Sequence, residues 1–335
     1  MKLTAKYSLL ILLPALLTSC FKEDKMLPLP DRGNVQTDTI AMTENYTYQV
    51  YFRLDSGKVV SSNRRMESDL GFDCSGSGWK IILNTSDFMR IADLGVVPFA
   101  QPCDTTGAKW RFDKSDGNPD SLAIGPWFSV KGTDTVSNHH VYLLDRGMDD
   151  LGKSLGILQI IFDSLKNSTY YFRFAGQKGG VISQGVVNKN PRVNYLFYSL
   201  SAGGSVKHLE PDKTTYDLLF TQYTTLLFTS AGAAYPYLVT GVLTNRSGIS
   251  VATDSVTAFA AITLDKARGM SYSTALDAIG YLWKSYNFDA GSYTVRNNLN
   301  YVIRSLNGFY YKLRFIGFYN KKGQKGYPVI EYQRL

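Results

Sequence analysis

The sequence has 335 residues, a formal net charge of +8, and only 19% charged residues against 13% aromatic residues and 29 glycines. The low charged fraction argues against a disordered or coiled-coil protein, and the scattered Lys and Arg, which form no long basic run, argue against a nucleic-acid-binding protein. Aromatic and glycine content favours strands and tight turns, and the length suits two domains of about 150 residues each.

The N-terminus has the pattern of an export signal. A basic start is followed by an apolar run from Leu9 to Leu17, which is too short to span a bilayer as a mature helix. The run ends in Leu17-Thr18-Ser19-Cys20, which resembles a bacterial lipobox, whereas a simple secretory signal needs no Cys. We therefore expect residues 1–20 to comprise a lipoprotein signal peptide and an acylated Cys20, the lipid anchor.

The segment after this cysteine is charged and then rich in turn residues. Lys22, Glu23 and Asp24 resemble the surface-export signal of lipoproteins in the Bacteroidetes, and a solvated charged linker is the alternative. Residues 21–42 lack periodicity and contain Pro28 and Pro30, which predicts a flexible tether.

The rest of the chain contains an internal repeat, in which five short motifs recur in one order. The pairs are Leu54–Lys58 with Leu200–Gly204, Ser68–Phe72 with Tyr216–Phe220, Ile81–Asn84 with Val242–Asn245, Ile124–Trp127 with Ile279–Trp283, and Val141–Leu144 with Tyr301–Arg304. The period exceeds the roughly 20 to 50 residues of solenoid units, which indicates two related domain-sized halves. We predict a first unit at residues 43–178 and a second at 190–335.

Both halves show the alternation of apolar and polar residues that is typical of strands, as in Tyr46, Tyr48, Val50 and Phe52. The predicted fold class is therefore all-β, with mainly antiparallel β-sandwich-like units and two related halves in tandem. The one helical candidate is the run from Thr274 to Leu282.

Two further cysteines remain, Cys74 and Cys103. In an exported chain an intramolecular disulfide between them is the default expectation, and two free buried thiols are the alternative. The sequence has no CxxC and no Cys/His cluster, so a structural zinc site is not expected.

Catalytic motifs are missing from the sequence. It has no Gly-rich phosphate loop and no nucleophile elbow, so we predict that the protein is not an enzyme. His139 and His140 are adjacent, and on a strand they would point to opposite faces; a surface or core role is the alternative. Met270 is a candidate soft ligand for iron, or it fills a gap in the core.

An ordered set of motifs in the second half resembles the HmuY family, the outer-membrane haem-binding lipoproteins of Bacteroidetes, and the first half matches more loosely. The set comprises Leu200–Gly203, Asp217–Phe220, Trp283, Tyr301–Arg304, Asn307-Gly308, Tyr311–Leu313, Lys325–Tyr327 and Glu331-Tyr332. The resemblance implies an all-β fold whose loops clamp haem. It also implies a role in iron acquisition, in which the protein delivers the haem to a TonB-dependent outer-membrane receptor.

In this family a pair of His, or in relatives a pair of Met, coordinates the iron near the strand that corresponds to Tyr301–Arg304. Between Trp283 and that strand the sequence has neither residue type, which leaves Met270 as the candidate of the second half. The corresponding interval of the first half contains His139 and His140. The resemblance thus gives haem as the cofactor and His139, His140 and Met270 as candidate ligands, with Tyr286 or Tyr293 as substitutes if none of them binds.

The function predicted from these observations is a surface lipoprotein that binds haem or a related tetrapyrrole for uptake. It would be held to the outer membrane by its acyl anchor alone and face the cell exterior. The alternative is a surface adhesion or glycan-binding β module without haem ligation, since Tyr and Trp suit sugar stacking as well as porphyrin packing. A hydrolase is the third reading.

Overall fold

The fold is seen in a computed structural model that describes residues 33–131 and 134–335. The all-β prediction is confirmed: in these ranges the chain forms 22 strands and a single short α-helix, α1 (Leu264–Arg268), besides a few 3₁₀ turns. No helix within the described ranges is long and apolar enough to cross a membrane. The predicted signal peptide, Cys20 and the Lys22–Asp24 signal lie outside the described residues.

The strands, in chain order, are β1 (Gln36–Thr39), β2 (Tyr48–Arg53), β3 (Lys58–Arg64), β4 (Leu70–Asp73), β5 (Ile81–Leu83), β6 (Arg90–Asp93), β7 (Phe128–Lys131), β8 (Asp134–Ser137), β9 (Tyr142–Asp145), β10 (Ile157–Lys166), β11 (Thr169–Gly176), β12 (Ser183–Asn188), β13 (Tyr195–Ser199), β14 (Ser205–Lys207), β15 (Leu218–Phe228), β16 (Ala234–Thr244), β17 (Ser250–Asp254), β18 (Lys284–Asn287), β19 (Ser292–Val295), β20 (Asn300–Arg304), β21 (Tyr310–Tyr319) and β22 (Lys325–Arg334).

The strands form two sandwiches, each built from a five-stranded and a four-stranded antiparallel sheet. Lobe 1, residues 68–207, contains the sheets β12-β11-β10-β9-β6 and β14-β13-β4-β5. Lobe 2, residues 33–67 and 208–335, contains the sheets β1-β22-β21-β20-β17 and β16-β15-β2-β3. Each lobe also carries a two-stranded hairpin, β7-β8 or β18-β19, and each has its own apolar core.

The two lobes have the same strand order in their sheets. The strands of lobe 1, taken from β4 to β14, match those of lobe 2 taken from β15 to β22 and continued with β1 to β3. One hydrogen bond common to both lobes explains two of the repeated motifs. The Asp69 carboxylate accepts from the backbone N–H of Leu200 at 2.6 Å, and the Asp217 carboxylate accepts from that of Leu54 at 2.9 Å. In each lobe a carboxylate at the start of one strand therefore holds the turn after its neighbour.

The predicted division into tandem units at 43–178 and 190–335 is not confirmed. β2 pairs with β15, in register Phe52 with Leu218, so the N-terminal strands complete the lobe formed by the C-terminal part of the chain. Conversely, β13 pairs with β4 and belongs to lobe 1. Apolar burial explains the arrangement, because Val50 and Phe52 lie in the core of lobe 2. Lobe 1 is thus a contiguous segment inserted into lobe 2.

The predicted tether is shorter than expected at its C-terminal end. β1 pairs with β22 along its whole length, from Gln36 opposite Tyr332 to Thr39 opposite Val329. Ile40 and Met42 follow it and are fully buried in lobe 2. A segment that buries two apolar side chains and completes a sheet is part of the folded unit, so the part of residues 21–42 from Gln36 onwards is not a tether.

The repeated tryptophans occupy equivalent places in the two cores. Trp127 donates from Nε1 to the Trp79 carbonyl at 3.1 Å, and Trp283 donates to the Gly280 carbonyl at 3.2 Å. Trp283 also stacks on Phe315 with 3.9 Å between ring centroids. Each indole buries a large apolar area and satisfies its one donor, which is the usual condition for a fully buried Trp.

The predicted helix at 274–282 is wrong. The backbone groups of this segment form long-range hydrogen bonds instead. The N–H of Leu276 donates to the backbone carbonyl of Asp116 at 2.9 Å, and Gly280 and Val242 exchange two backbone hydrogen bonds. The short helix α1 lies earlier, where the side chain of Thr263 caps it by accepting from the N–H of Lys266. A side-chain acceptor at this position satisfies one of the free donors of the first turn.

The predicted disulfide is not formed, because Cys74 and Cys103 are both free thiols in the described chain. The Cys74 sulfur accepts a weak bond from the N–H of Asn190 at 3.4 Å, and burial raises the pKa of this thiol. Cys103 lies against a different segment: its N–H donates to the carbonyl of Gln177, and its carbonyl accepts from the side-chain amide of Gln177. The alternative of two free thiols therefore holds, although only Cys74 is fully buried.

Candidate functional site

The adjacent histidines lie in the loop between β8 and β9 of lobe 1, not on a strand as expected. His139 has a left-handed backbone with φ of 55°. Its N–H donates to Ser137 Oγ at 3.0 Å, and its side chain is exposed. A left-handed residue reverses the chain locally, so the alternation of a strand does not decide where the two imidazoles point.

His140 is held by a carboxylate from a neighbouring strand. Its Nδ1 lies 2.9 Å from Oδ2 of Asp93, the last residue of β6, and its side chain is 34% exposed. When Nδ1 donates its proton to Asp93, Nε2 carries the free lone pair. Metal-binding histidines are usually oriented by such a carboxylate on the second ring nitrogen. His140 therefore has the arrangement of a metal ligand with one position available.

The surroundings of His140 are partly apolar. Backbone bonds of 2.9 Å, from Leu94 to Val141 and from Val141 to Gly95, attach the loop after β6 to the segment that follows the histidine. The next residues of that loop, Val96 and Val97, expose 73% and 37% of their surface. The ring of Tyr142 lies 6.4 Å from that of His140, measured between centroids. Partly apolar surroundings of this kind suit a flat, hydrophobic ligand.

The third candidate ligand, Met270, has a different environment. It is half-buried against a small cluster on the outer side of lobe 2, formed by Ala252, Ile262, Ala267 and Val302. Its N–H donates to the carbonyl of Ala267 at the end of α1. These contacts match the common use of Met as a filler of irregular apolar gaps. Met270 and the histidines lie in different lobes, and in the described chain no hydrogen bond joins them.

The interval of lobe 2 that corresponds to the histidine loop contains tyrosines. The rings of Tyr286 and Tyr293 face each other across the β18-β19 hairpin with 4.9 Å between centroids. Burial raises the pKa of Tyr293, and the phenol of Tyr237 on β16 adds to that rise; burial and the phenol of Tyr235 do the same for Tyr281. Sequence analysis identified Tyr286 and Tyr293, but not their neighbours on β16, which lie about 50 residues earlier in the chain.

Lys284, at the start of β18, lies beneath these tyrosines and was missed by the sequence analysis. Its side chain is 7% exposed and donates to the carbonyl of Thr240. The ammonium lies 4.3 Å from the ring centroid of Trp283 and within 5.5 Å of those of Tyr293 and Phe318. Burial lowers the pKa of Lys284 to about 7. A single Lys between a Trp and a Ser gives no sequence signal for such burial.

The described residues contain no group of three or more His, Cys, Asp or Glu side chains that could hold a bare metal ion. A haem differs from a bare ion because its porphyrin supplies four ligands, so one or two axial side chains suffice. The Asp93–His140 pair fits this smaller requirement.

Comparisons with known proteins identify the family. No curated protein sequence matches the chain significantly. Solved structures that are similar to it include apo PinO from Porphyromonas gingivitis, with 10% identity over 90% of this chain and 98% of that one and a TM-score of 0.30. They also include an apo HmuY analog from Tannerella forsythia, with 12% identity over 91% and 98% and a TM-score of 0.25.

A third solved structure, an HmuY-like heme binding protein from Bacteroides vulgatus, has 10% identity over 90% of this chain and 94% of that one, with a TM-score of 0.24. The family model described as HmuY protein matches residues 45–332, which include all of lobe 1 and most of lobe 2. Because the match covers most of the sequence, the chain belongs to the HmuY family.

Proposed function

We propose that the protein binds haem or a related tetrapyrrole and that His140 supplies the axial ligand. The observation that carries the proposal is the 2.9 Å contact between His140 Nδ1 and Asp93, which orients the imidazole and leaves Nε2 available. Membership of the HmuY family supports the ligand class. Asp93 would fix the tautomer and increase the basicity of Nε2, and Val96 and Val97 would exclude water from one edge of the macrocycle.

The first prediction concerns the iron ligand. Titration of the full chain with hemin should shift the Soret band, and His140→Ala should abolish the shift because it removes the imidazole. Asp93→Asn should keep the shift but weaken binding about 10- to 100-fold, the range for loss of an orienting partner. His139→Ala is the matched control, because the imidazole of His139 has no carboxylate partner among the described residues. The haem spectrum of the His139→Ala protein should stay that of the wild type.

Other outcomes of the titration would assign the iron to a different ligand or favour the alternative function. A spectral change in Met270→Ala, with none in His140→Ala, would move the ligand to lobe 2 and contradict the proposal. Unchanged spectra in all three variants would assign the iron to a tyrosine such as Tyr286 or Tyr293, or to packing alone. If neither ferric nor ferrous haem shifts the wild-type spectrum while the protein binds a glycan array, the adhesion or glycan-binding alternative is correct.

The cellular role is part of the same proposal. A haem-binding lipoprotein on the outer face of the outer membrane would capture its ligand and pass it to a TonB-dependent receptor, without chemistry of its own. The proposal rests on the lipobox-like segment that ends at Cys20 and on the charged residues after it. No transmembrane helix is needed for this placement, because an acyl anchor supplies the membrane attachment.

The second prediction concerns the anchor. Cys20→Ala should remove acylation and transfer the protein from the membrane fraction to the soluble fraction, since a lipid chain contributes about 0.8 kcal/mol per buried CH₂ group. Joint replacement of Lys22, Glu23 and Asp24 by Ala is the matched variant: it should retain the lipid and lose accessibility to external protease. A Cys20→Ala protein that stays in the membrane fraction contradicts the anchor.

A further inference from the structure

A polar pocket of about 310 Å³, here called the junction pocket, lies between the two lobes, away from the β8–β9 loop. Lobe 1 contributes the β4–β5 turn, the long loop before β7 and the start of β13, and lobe 2 contributes the segment before β15 and the turn after β16. Its charged and aromatic lining includes Lys80, Asp116 and Tyr195 of lobe 1, and Lys213 and Arg246 of lobe 2.

Three cations line this pocket without an ion-pair partner among the described residues. Within the described chain, the side chains of Lys80, Lys213 and Arg246 form no ion pair and donate no hydrogen bond. Lys80 belongs to lobe 1, whereas Lys213 and Arg246 belong to lobe 2, so Lys80 joins the other two cations only where the lobes meet. Like charges brought together repel each other, and a bound anion relieves that repulsion.

The cations sit on a well-defined frame. The Arg246 guanidinium lies over the ring of Tyr195, with 4.8 Å between its Cζ atom and the ring centroid. The carbonyl of Lys213 accepts from Asn245 Nδ2 at 2.7 Å, and the carbonyl of Lys80 accepts from the N–H of Asp73 at 3.0 Å. Stacked on an aromatic ring, a guanidinium keeps its planar set of donors free for a ligand.

The two carboxylates of the pocket serve the local turns. Asp73 accepts from the N–H of Ser75 at 2.9 Å, and Asp116 accepts from the N–H of Asn118 at 2.9 Å. Neither bonds to a cation of the pocket. Tyr195 carries no charge at neutral pH, and burial raises the pKa of its phenol further, to about 12.

We propose that the junction pocket binds the oxyanion group, a carboxylate, sulfate or phosphate, of a small polar molecule. The guanidinium of Arg246 and the ammonium groups of Lys80 and Lys213 supply the charge, and oxyanions pair with such donors through short, strong hydrogen bonds. A pocket of about 310 Å³ is at the lower end of small-molecule sites, which suits a sugar acid or a phosphate rather than a tetrapyrrole. The site is therefore separate from the haem site and does not depend on it.

The third prediction tests this site by calorimetric titration of the full chain at low ionic strength with sulfate, phosphate, glucuronate and neutral glucose. At least one anion should bind saturably, with a dissociation constant of about 1 mM or tighter, and glucose should not bind. Because a hydrogen bond to a charged group is stronger than one between neutral groups, Arg246→Gln and Lys213→Gln should each weaken binding about tenfold or more. Arg246→Lys should retain part of the affinity.

Lys153→Gln is the matched control, because it removes one exposed lysine of lobe 1 that lies outside the pocket. It should bind like the wild type, and melting curves should show that every variant is folded. The anion that binds most tightly identifies the ligand as carboxylate, sulfate or phosphate. The proposal is overturned if no anion binds saturably, if glucose binds as well as glucuronate, or if folded Arg246→Gln and Lys153→Gln proteins have equal affinities.

Discussion

Replacing Lys284 by Met should stabilise the protein at pH 6 and leave its stability almost unchanged near pH 10. Lys284 is buried without a carboxylate partner among the described residues, and its ammonium bonds to one carbonyl, that of Thr240. The rings of Trp283, Tyr293 and Phe318 around it offer a favourable cation–π contact that offsets part of the desolvation cost. Met has a similar length, carries no charge and packs well against rings.

The sign of the pH dependence follows from the pKa. Burial lowers the pKa of Lys284 from 10.5 to about 7, so between these values the unfolded chain binds more protons than the folded chain. Stability then rises with pH across this interval, and below pH 7 both states carry the proton and the full cost remains. One pKa unit corresponds to 1.36 kcal/mol; after loss of the carbonyl bond and the ring contacts, Lys284→Met should gain about 2–4 kcal/mol at pH 6.

Urea unfolding at pH 6, 8 and 10 measures this effect, as the difference between Lys284→Met and the wild type. The difference removes the contributions of other titrating groups, including the buried tyrosines. Lys166→Met, at an exposed position on β10, is the matched control and should give a flat difference across the series. Parallel curves for Lys284→Met and the wild type would falsify the assignment of a neutralised buried lysine.

Replacing Asp87 by Asn should destabilise the protein by about 3–5 kcal/mol, the usual cost of leaving a buried charge without its partner. Arg65 and Asp87 form an ion pair of 2.7 Å, and their side chains are only 4% and 2% exposed. Burial raises the pKa of the Asp87 carboxyl and the Arg65 guanidinium opposes that rise; the short contact between the two groups assigns the pair its charged form. Arg65 lies in the first connection between the lobes and also donates to the carbonyls of Tyr46 in lobe 2 and Ser86 in lobe 1. The guanidinium therefore joins the two lobes, and it stays charged when the carboxylate is removed.

A double-mutant cycle separates the pair from its burial. Arg65→Met and Asp87→Leu should each be costly, because each leaves one charge of the pair without its partner. The double variant Arg65→Met/Asp87→Leu should lose less than the sum of these two single variants. A coupling of about 1–3 kcal/mol is expected, since an apolar pair can replace a buried ion pair at small cost. Urea unfolding at pH 7 measures all four proteins. Additive losses would show that the two side chains act independently.

The haem-ligand and anchor hypotheses differ in how much of them was visible in the sequence. Cys20 and its flanking residues are read from contiguous sequence, because a peptidase recognises a short extended segment. His140 was identified as a candidate from its place after Trp127. Its partner Asp93 was not, because the two residues are 47 positions apart and meet only when β6 pairs with β9.

The repeated motifs predicted the equivalent strands well, since Asp69 and Asp217 take the same place in two sandwiches. Alternation correctly predicted the burial of Val50 and Phe52 in β2, but Tyr48 is exposed and Tyr51 is buried as well, so the strand as a whole does not alternate. Neither signal reveals which strands pair, because an antiparallel strand of this composition has the same pattern beside any neighbour. The assignment of β1, β2 and β3 to lobe 2 was therefore decided by long-range hydrogen bonds and by burial of Val50 and Phe52 in that core.

The same limit applies to charges. A lysine in a polar context is predicted to be solvated, and for the exposed Lys153 this holds. The burial of Lys284 depends on rings from β19 and β21, and the convergence of Lys80 with Lys213 and Arg246 depends on how the two lobes meet. Local sequence thus determines the fold class and the repeat, and it is the basis of the export hypothesis, because these depend on neighbouring residues. The sites between strands and lobes arise from contacts that only the folded chain creates.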